Sequence, residues 1–249
     1  MKLKFVKMQA AGNDYIYVDC RDFSLIDAPK VAKKLSFRRF SVGADGLVLI
    51  KRADGGVKAE IYNADGTRAP ICGNALRCVA RLCFDRFGFD GDKVDILTDS
   101  GNKTVEKIVR EYKTYYRVNM GRADVIEKCG SVYVRIGNLH RVEKADNVEK
   151  FDFFSLKNFR PGRYNTEVYR VVGKNAAQVR VFERGSGETL ACGSGAVAVA
   201  AAGIHNGDFT PGEVEVRYKG GALRVSASEN GDCFLLGDAV LVYDGEVEI

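Results

Sequence analysis

The chain has no tryptophan, two histidines and no C-x-x-C pair. That composition offers no zinc-ligand arrangement, so no metal is expected. No apolar run is long enough to cross a bilayer. The densest one, residues 196–204, is mostly alanine and is broken by glycine. No apolar segment with a cleavage site opens the sequence, so a cytoplasmic location and no membrane partner are expected. There is no basic tail, and aromatic residues do not alternate with basic ones as a stacking surface would require. Nucleic acid is therefore not an expected partner. The net charge of +5 is spread out, a mild bias that helps attract an anionic small molecule. Lys33-Lys34 and Arg38-Arg39 read as a solvated helix face and its end.

What the chain does have is cysteine, at positions 20, 72, 78, 83, 129, 192 and 233. An odd number without a secretion signal argues against a disulfide framework. Cys78 and Cys83 read as small apolar residues on a buried helix face. Cys72 and Cys192 sit in a duplicated context. Residues 63–74 read N-A-D-G-T-R-A-P-I-C-G-N, and residues 183–195 read E-R-G-S-G-E-T-L-A-C-G-S-G. Each cysteine precedes a glycine and a small polar residue, then an apolar segment long enough for a helix. A cysteine at a helix N-terminus lies in the positive end of the macrodipole, which favours thiolate, and the free N–H groups of that turn can hold a carboxylate. Two such sites suggest two thiols facing one anionic substrate. That pairing suits inversion of a stereocentre beside a carboxylate: one thiolate removes the α-proton, one thiol returns a proton from the other face, and no cofactor is needed. The helix ends would stabilise the carbanion where charge develops.

At 249 residues, 46% of them hydrophobic, the chain suits one large soluble domain or two modest ones. Strands are expected at residues 4–6, 15–19, 46–51, 59–63, 94–98 and 104–110. A short helix over 29–36 has Asp27 as its cap. Residues 74–84 carry helical spacing at Leu76, Val79, Ala80 and Cys83. Further strands are expected at 133–136, 166–172, 178–183, 213–217, 222–226 and 233–236, with a hairpin turn at Asn230-Gly231. Residues 194–204 are apolar on nearly every side and should form a helix buried among strands. Each half thus holds several strands and one helix starting just after a cysteine, and the two cysteines are 120 residues apart. This is an internal repeat of architecture.

These residues resemble the diaminopimelate epimerases, a group of pyridoxal-independent racemases and epimerases. K-M-Q-A-A-G-N-D-Y (7–15), V-G-A-D-G-L (42–47), the two cysteine blocks, G-N-L-H (137–140) and Y-N-T-E-V (164–168) match the family's motifs in order. The resemblance implies an α+β fold of two pseudo-symmetric domains, each a β-barrel-like sheet around a central helix. The first would span 1–115 with a returning strand at 240–249, the second 116–239, and the site would lie between them. It implies cofactor-independent epimerisation of LL- to meso-diaminopimelate, a step of lysine and peptidoglycan-precursor biosynthesis, by a homodimer.

Carried over motif by motif, Cys72 and Cys192 are the thiolate base and thiol acid, exchanging roles with the substrate enantiomer. Gly73, Asn74, Gly193 and Ser194 present backbone N–H groups to the reacting carboxylate. His140 and Glu183 lie near the thiols and the α-ammonium, tuning the one or holding the other. Arg184 takes the distal carboxylate on its planar fork. Asn13, Asn63, Asn138 and Asn165 form a neutral polar cage around the distal zwitterion. The chain departs from the family pattern at Pro70 and Ile71 (usually Glu-Met), Ala75 (usually glycine), Leu139 (usually proline) and Phe182 (often tryptophan). Gly46 stands where some members carry glutamine.

Two other readings stay open. The same chemistry could serve another amino acid such as lysine. Alternatively, the thiols could belong to a non-catalytic redox module, which would form a disulfide readily and leave amino-acid stereochemistry untouched.

Overall fold

The computed structural model describes residues 2–184, 186–227 and 231–249, the side chain of Ala227 aside. It begins with β1 (Lys2–Ala10), β2 (Asn13–Asp19), α1 (Ala28–Ser36), β3 (Gly46–Ala53), β4 (Gly56–Asn63), β5 (Arg68–Ala69), α2 (Gly73–Arg86), β6 (Lys93–Thr98), β7 (Gly101–Arg110) and β8 (Lys113–Arg122). It continues with β9 (Asp124–Lys128), β10 (Ser131–Ile136), β11 (Asn138–Lys144), β12 (Asn165–Gly173), β13 (Ala176–Glu183), β14 (Gly187–Thr189) and α3 (Gly193–His205). β15 (Val214–Tyr218), β16 (Gly221–Ala227), β17 (Asp232–Gly237) and β18 (Val240–Glu248) follow. Compactness divides the chain into Met1–Val118 with Gly237–Ile249, and Asn119–Leu236. β8 runs unbroken through residues 115–117, and the division falls after Val118. Asn230 of the expected hairpin turn lies outside the described residues.

The two units are copies of one topology. In the first, β1–β2 is antiparallel, β2–β3 parallel, β3–β4 and β4–β5 antiparallel, β4–β6 parallel, and β6–β7 and β7–β8 antiparallel. In the second, β10–β11 is antiparallel, β11–β12 parallel, β12–β13 and β13–β14 antiparallel, β13–β15 parallel, and β15–β16 and β16–β17 antiparallel. β18 flanks β1 as β9 flanks β10, each antiparallel. Each unit is a set of strands around one helix, an α+β fold. α2 packs on β1, β2, β4, β6 and β7, and α3 on β10, β11, β12, β15 and β16.

The composition of the two helices follows from that enclosure. α3 is buried at Gly193–Ala200, Ala202 and Gly203, so it needs side chains small enough for strands to approach from several directions. Gly203 is the extreme case: a Cβ there would lie 2.3 Å from the Phe209 ring. α2 is amphipathic and carries the fully buried Arg77. Arg77 Nε donates to the Asp238 carbonyl at 2.8 Å, and Arg81 Nη1 to that of Ala239 at 2.7 Å. These bonds tie the segment entering β18 to α2. Asp27 caps α1 as expected, its carboxylate accepting from Lys30 N at 3.3 Å.

β8, β9 and β11 are strands beyond those expected above; β8 does alternate, burying Tyr116, Val118 and Met120, whereas β11 does not. β11 reads N-L-H-R-V-E-K, and its buried residues are His140, Arg141 and Val142. In β11, polar side chains buried on both faces break the apolar alternation on which a strand reading depends.

Candidate active site

Shared register sets residue against residue across the two repeats. Asn13 opens β2 and Asn138 opens β11. Tyr15 pairs with Gly46 as His140 pairs with Asn165. Asn63 ends β4 as Glu183 ends β13. Cys72 and Cys192 are the N-caps of α2 and α3, both in extended backbone. Their carbonyls accept the first helical bonds, from Leu76 N at 3.0 Å and Ala196 N at 2.9 Å. Gly73-Asn74 and Gly193-Ser194 therefore occupy the first turns, where backbone N–H groups lack helical acceptors.

In the first unit, the half-buried Cys72 directs its thiol at Asn13 Oδ1, 3.4 Å away. Asn74 Nδ2 donates to the same oxygen at 3.3 Å, and its own Oδ1 is buried without a partner. Asn13 Nδ2 donates to Asp45 Oδ2 at 2.7 Å. Asp45, paired with Arg38 at 3.0 Å, can only accept, so it turns the Asn13 carbonyl toward the thiol. Asp14 sits between Lys7, at 2.7 Å, and Arg38. Burial pushes the Asp14 carboxyl up, but hydrogen bonds from Arg38 and Lys7 outweigh it and hold it below its usual range. Asn63 is engaged locally, its Nδ2 donating to Thr67 Oγ1 at 3.0 Å.

The second unit builds its cysteine site from acids. Cys192 is buried, its Sγ accepting from Gly195 N at 3.4 Å and lying 3.5 Å from Ser194 Oγ. Burial raises this thiol well above its ordinary range, and Glu183 and Glu167 add to the rise. Glu183 is likewise raised by burial, against hydrogen bonds from Thr189 and Cys192 that favour its charged form. Thr189 Oγ1 donates to Glu183 Oε1 at 2.5 Å. His140 Nδ1 lies 2.8 Å from Glu167 Oε1, and both side chains are fully buried. Asn165 Oδ1 accepts from Arg184 N at 2.9 Å, which fixes the exit of β13, while the Arg184 side chain is exposed. Asn138 is half-buried two residues before His140. Gly185, in the same motif, lies outside the described residues.

Within each unit some of the expected residues meet their cysteine, whereas Asn63 is engaged with Thr67, Asn165 with the Arg184 backbone, and the Arg184 side chain is exposed. Asn13 meets Cys72 and Asn74 shares its oxygen; Ser194 and Glu183 meet Cys192. Sequence reasoning passed over Glu167 and Tyr218. Glu167 stands in the Y-N-T-E-V motif two residues after Asn165, hence on the same face of β12. Tyr218 ends β15 and bears no motif. Among the described residues no cluster of His, Cys, Asp and Glu could hold a metal ion, and no helix is long and apolar enough to cross a membrane.

A family model described as diaminopimelate epimerase matches residues 5–126 and 132–242. A diaminopimelate epimerase of Acetivibrio thermocellus is 36% identical, over 99% of each chain. One of Leptospira biflexa is 35% identical over 100% of each. Among solved structures, a PhzF-family phenazine biosynthesis protein of Bacillus anthracis superposes over 100% of both chains with a TM-score of 0.79 at 16% identity. A hydroxyproline epimerase of Agrobacterium vitis superposes over 99% of this chain and 91% of its own, with a TM-score of 0.67 at 12% identity. Both similarities are of fold.

Proposed function

Because the chain belongs to the diaminopimelate epimerase family, we propose that it interconverts LL- and meso-diaminopimelate without a cofactor, with Cys72 and Cys192 as the two proton carriers. The α-proton of an amino acid is a very weak acid. Removing it leaves an enediolate-like dianion, so the charge that must be stabilised develops on the carboxylate. The first turns of α2 and α3 supply N–H groups from Gly73, Asn74, Gly193 and Ser194, already oriented, and their dipoles favour that charge. One thiolate takes the proton, the opposite thiol delivers another, and the roles exchange in the reverse direction. Glu183 and His140 adjust thiol protonation or hold the α-ammonium. Arg184 with Asn13, Asn63, Asn138 and Asn165 receives the distal zwitterion. A homodimer working in the cytoplasm completes the reading; the exposed Val240, Val242 and Tyr243 of β18 offer an apolar strip for such an assembly.

The observation that carries this proposal is that each cysteine caps the helix of one of two repeats with identical strand pairing. A redox module has no need of that duplication. The test is incubation of LL-, meso- and DD-diaminopimelate, lysine and glutamate with the protein in deuterated water. Deuterium entering at the α-carbon of diaminopimelate together with inversion is the expected result. Exchange confined to lysine would move the substrate, and no exchange with any of them would reject the reading.

A further inference from the structure

The pair formed by His140 and Glu167 is not demanded by the fold. In the first repeat the same register places hold Tyr15 and Val48, since Tyr15 faces Gly46 and Tyr17 faces Val48 as His140 faces Asn165 and Val142 faces Glu167. Val48 is fully buried and apolar, so this position of the shared topology is satisfied by a hydrocarbon. The second repeat instead buries a carboxyl and an imidazole completely. It leaves Glu167 Oε2, His140 Nε2 and the Tyr218 hydroxyl without hydrogen-bond partners. Burying unsatisfied polar atoms is unfavourable, and a fold that can do without them has reason to keep them only for chemistry. Their location fits: a Cβ added to Gly195, in the first turn of α3, would lie 2.5 Å from Glu167 Oε1 and 3.1 Å from the Tyr218 hydroxyl.

We infer that Glu167 is a positioning residue that fixes His140 as the Nδ1-protonated tautomer and leaves Nε2 as a free basic nitrogen in the pocket against the N-terminus of α3. A carboxylate only accepts hydrogen bonds, so at 2.8 Å it takes one from Nδ1–H, and in that tautomer the unpartnered Nε2 carries the lone pair. The opposite tautomer and a doubly protonated ring would each place an N–H donor at Nε2, where nothing among the described residues receives it. The other titratable groups facing this pair are Glu183 from β13, Cys192 at the α3 N-cap and Tyr218 from β15. The inference rests on reading this pocket as one half of the epimerase site.

The test needs no variant to begin. His205, the other histidine, is exposed and bonded to Glu127, so two-bond nitrogen–proton correlation spectra of the 15N-labelled protein resolve the rings. At neutral pH, His140 should show a protonated Nδ1 and an unprotonated Nε2; a protonated Nε2 overturns the inference. Glu167→Gln should then disturb that tautomer, lower kcat by at least about tenfold, leave KM within about threefold, and displace the pH profile of kcat. Glu167→Asp should restore part of both the spectrum and the rate. An unchanged tautomer and pH profile in Glu167→Gln would also overturn it. Loss of all turnover in the unaltered protein would reject the epimerase reading, while the spectrum would still judge the tautomer.

Discussion

Ala75 and Gly195 occupy the same position in the two cysteine-capped helices, three residues past Cys72 and Cys192, and only one of them leaves room for a side chain. Ala75 is fully buried. A Cβ at Gly195 would lie 2.5 Å from Glu167 Oε1 and 3.1 Å from Cys192 Cβ. The register places of Glu167 and Tyr218 are filled in the first unit by Val48 and Thr98, which are smaller. Gly195→Ala should thus displace Glu167 and lower turnover at least about tenfold. Ala75→Gly should lower stability by about 1 kcal/mol, the helical difference between the residues, with turnover retained. Thermal unfolding and steady-state rates on both variants check this.

Either cysteine should be indispensable. Cys72→Ala or Cys192→Ala should abolish inversion, because one face of the substrate loses its proton carrier. Serine at either position should leave at most about a thousandth of the rate, since an alcohol is a far poorer acid near neutral pH. Stereochemical analysis of diaminopimelate after incubation decides; near-normal inversion by Cys72→Ala would defeat the two-thiol mechanism.

The thiols should differ in reactivity. The thiolate is the nucleophile, and burial with Glu183 and Glu167 raises Cys192, so its thiolate fraction is small at neutral pH. Cys72 is half-buried and should be alkylated first. Iodoacetamide at neutral pH followed by peptide mapping should find modified Cys72 and exposed Cys129 well before Cys192.

Alkaline pH should destabilise the protein through α2. Burial pushes Cys78 and Cys83 up to about 12 from an ordinary 9.0. The unfolded chain loses these protons first as pH rises, so it binds fewer than the native state between about pH 9 and 12, and stability falls across that window. Below pH 9 both states are protonated and this contribution is fully present. Denaturant midpoints at pH 8 and 10.5 should separate, and less so in Cys83→Ala.

Arg184 should read the far end of the substrate. Inversion needs only the α-carboxylate, the α-ammonium and two thiols, whereas the distal zwitterion needs its own partners. Arg184→Ala should raise KM for diaminopimelate at least about tenfold, and less for lysine or any simpler amino acid accepted. Equal losses on both would show that the side chain supports the Cys192 loop instead.

The cysteine-capped helices were legible because their signals are local: a cysteine, a glycine, a small polar residue and a helical run. The spatial partners were not. Glu167 stood inside a quoted motif, but its bond to His140 depends on parallel pairing of β11 with β12 across an intervening stretch of 20 residues, 145–164. β11 itself was hidden because the buried His140 and Arg141 follow one another on opposite faces, one beside Glu167 and the other bonded to Glu143 and Ser131, so no apolar alternation marks the strand. Asp45, which orients Asn13, likewise sits 32 residues away from it.

The antiparallel pairing of β1 with β18 joins Lys2 to Glu248, and the carbonyls that receive Arg77 and Arg81 belong to Asp238 and Ala239. During synthesis, all of Asn119–Leu236 can leave the ribosome as one continuous stretch while β1, already beside β2, still lacks β18 on its other edge. Loop closure over such a separation is slow to be rewarded. The unit holding Cys72, although it begins first, is then the later one to finish. A premature stop after Gly237 would strip Arg77 of its acceptor inside the first unit, yet remove no strand from the unit that carries Cys192.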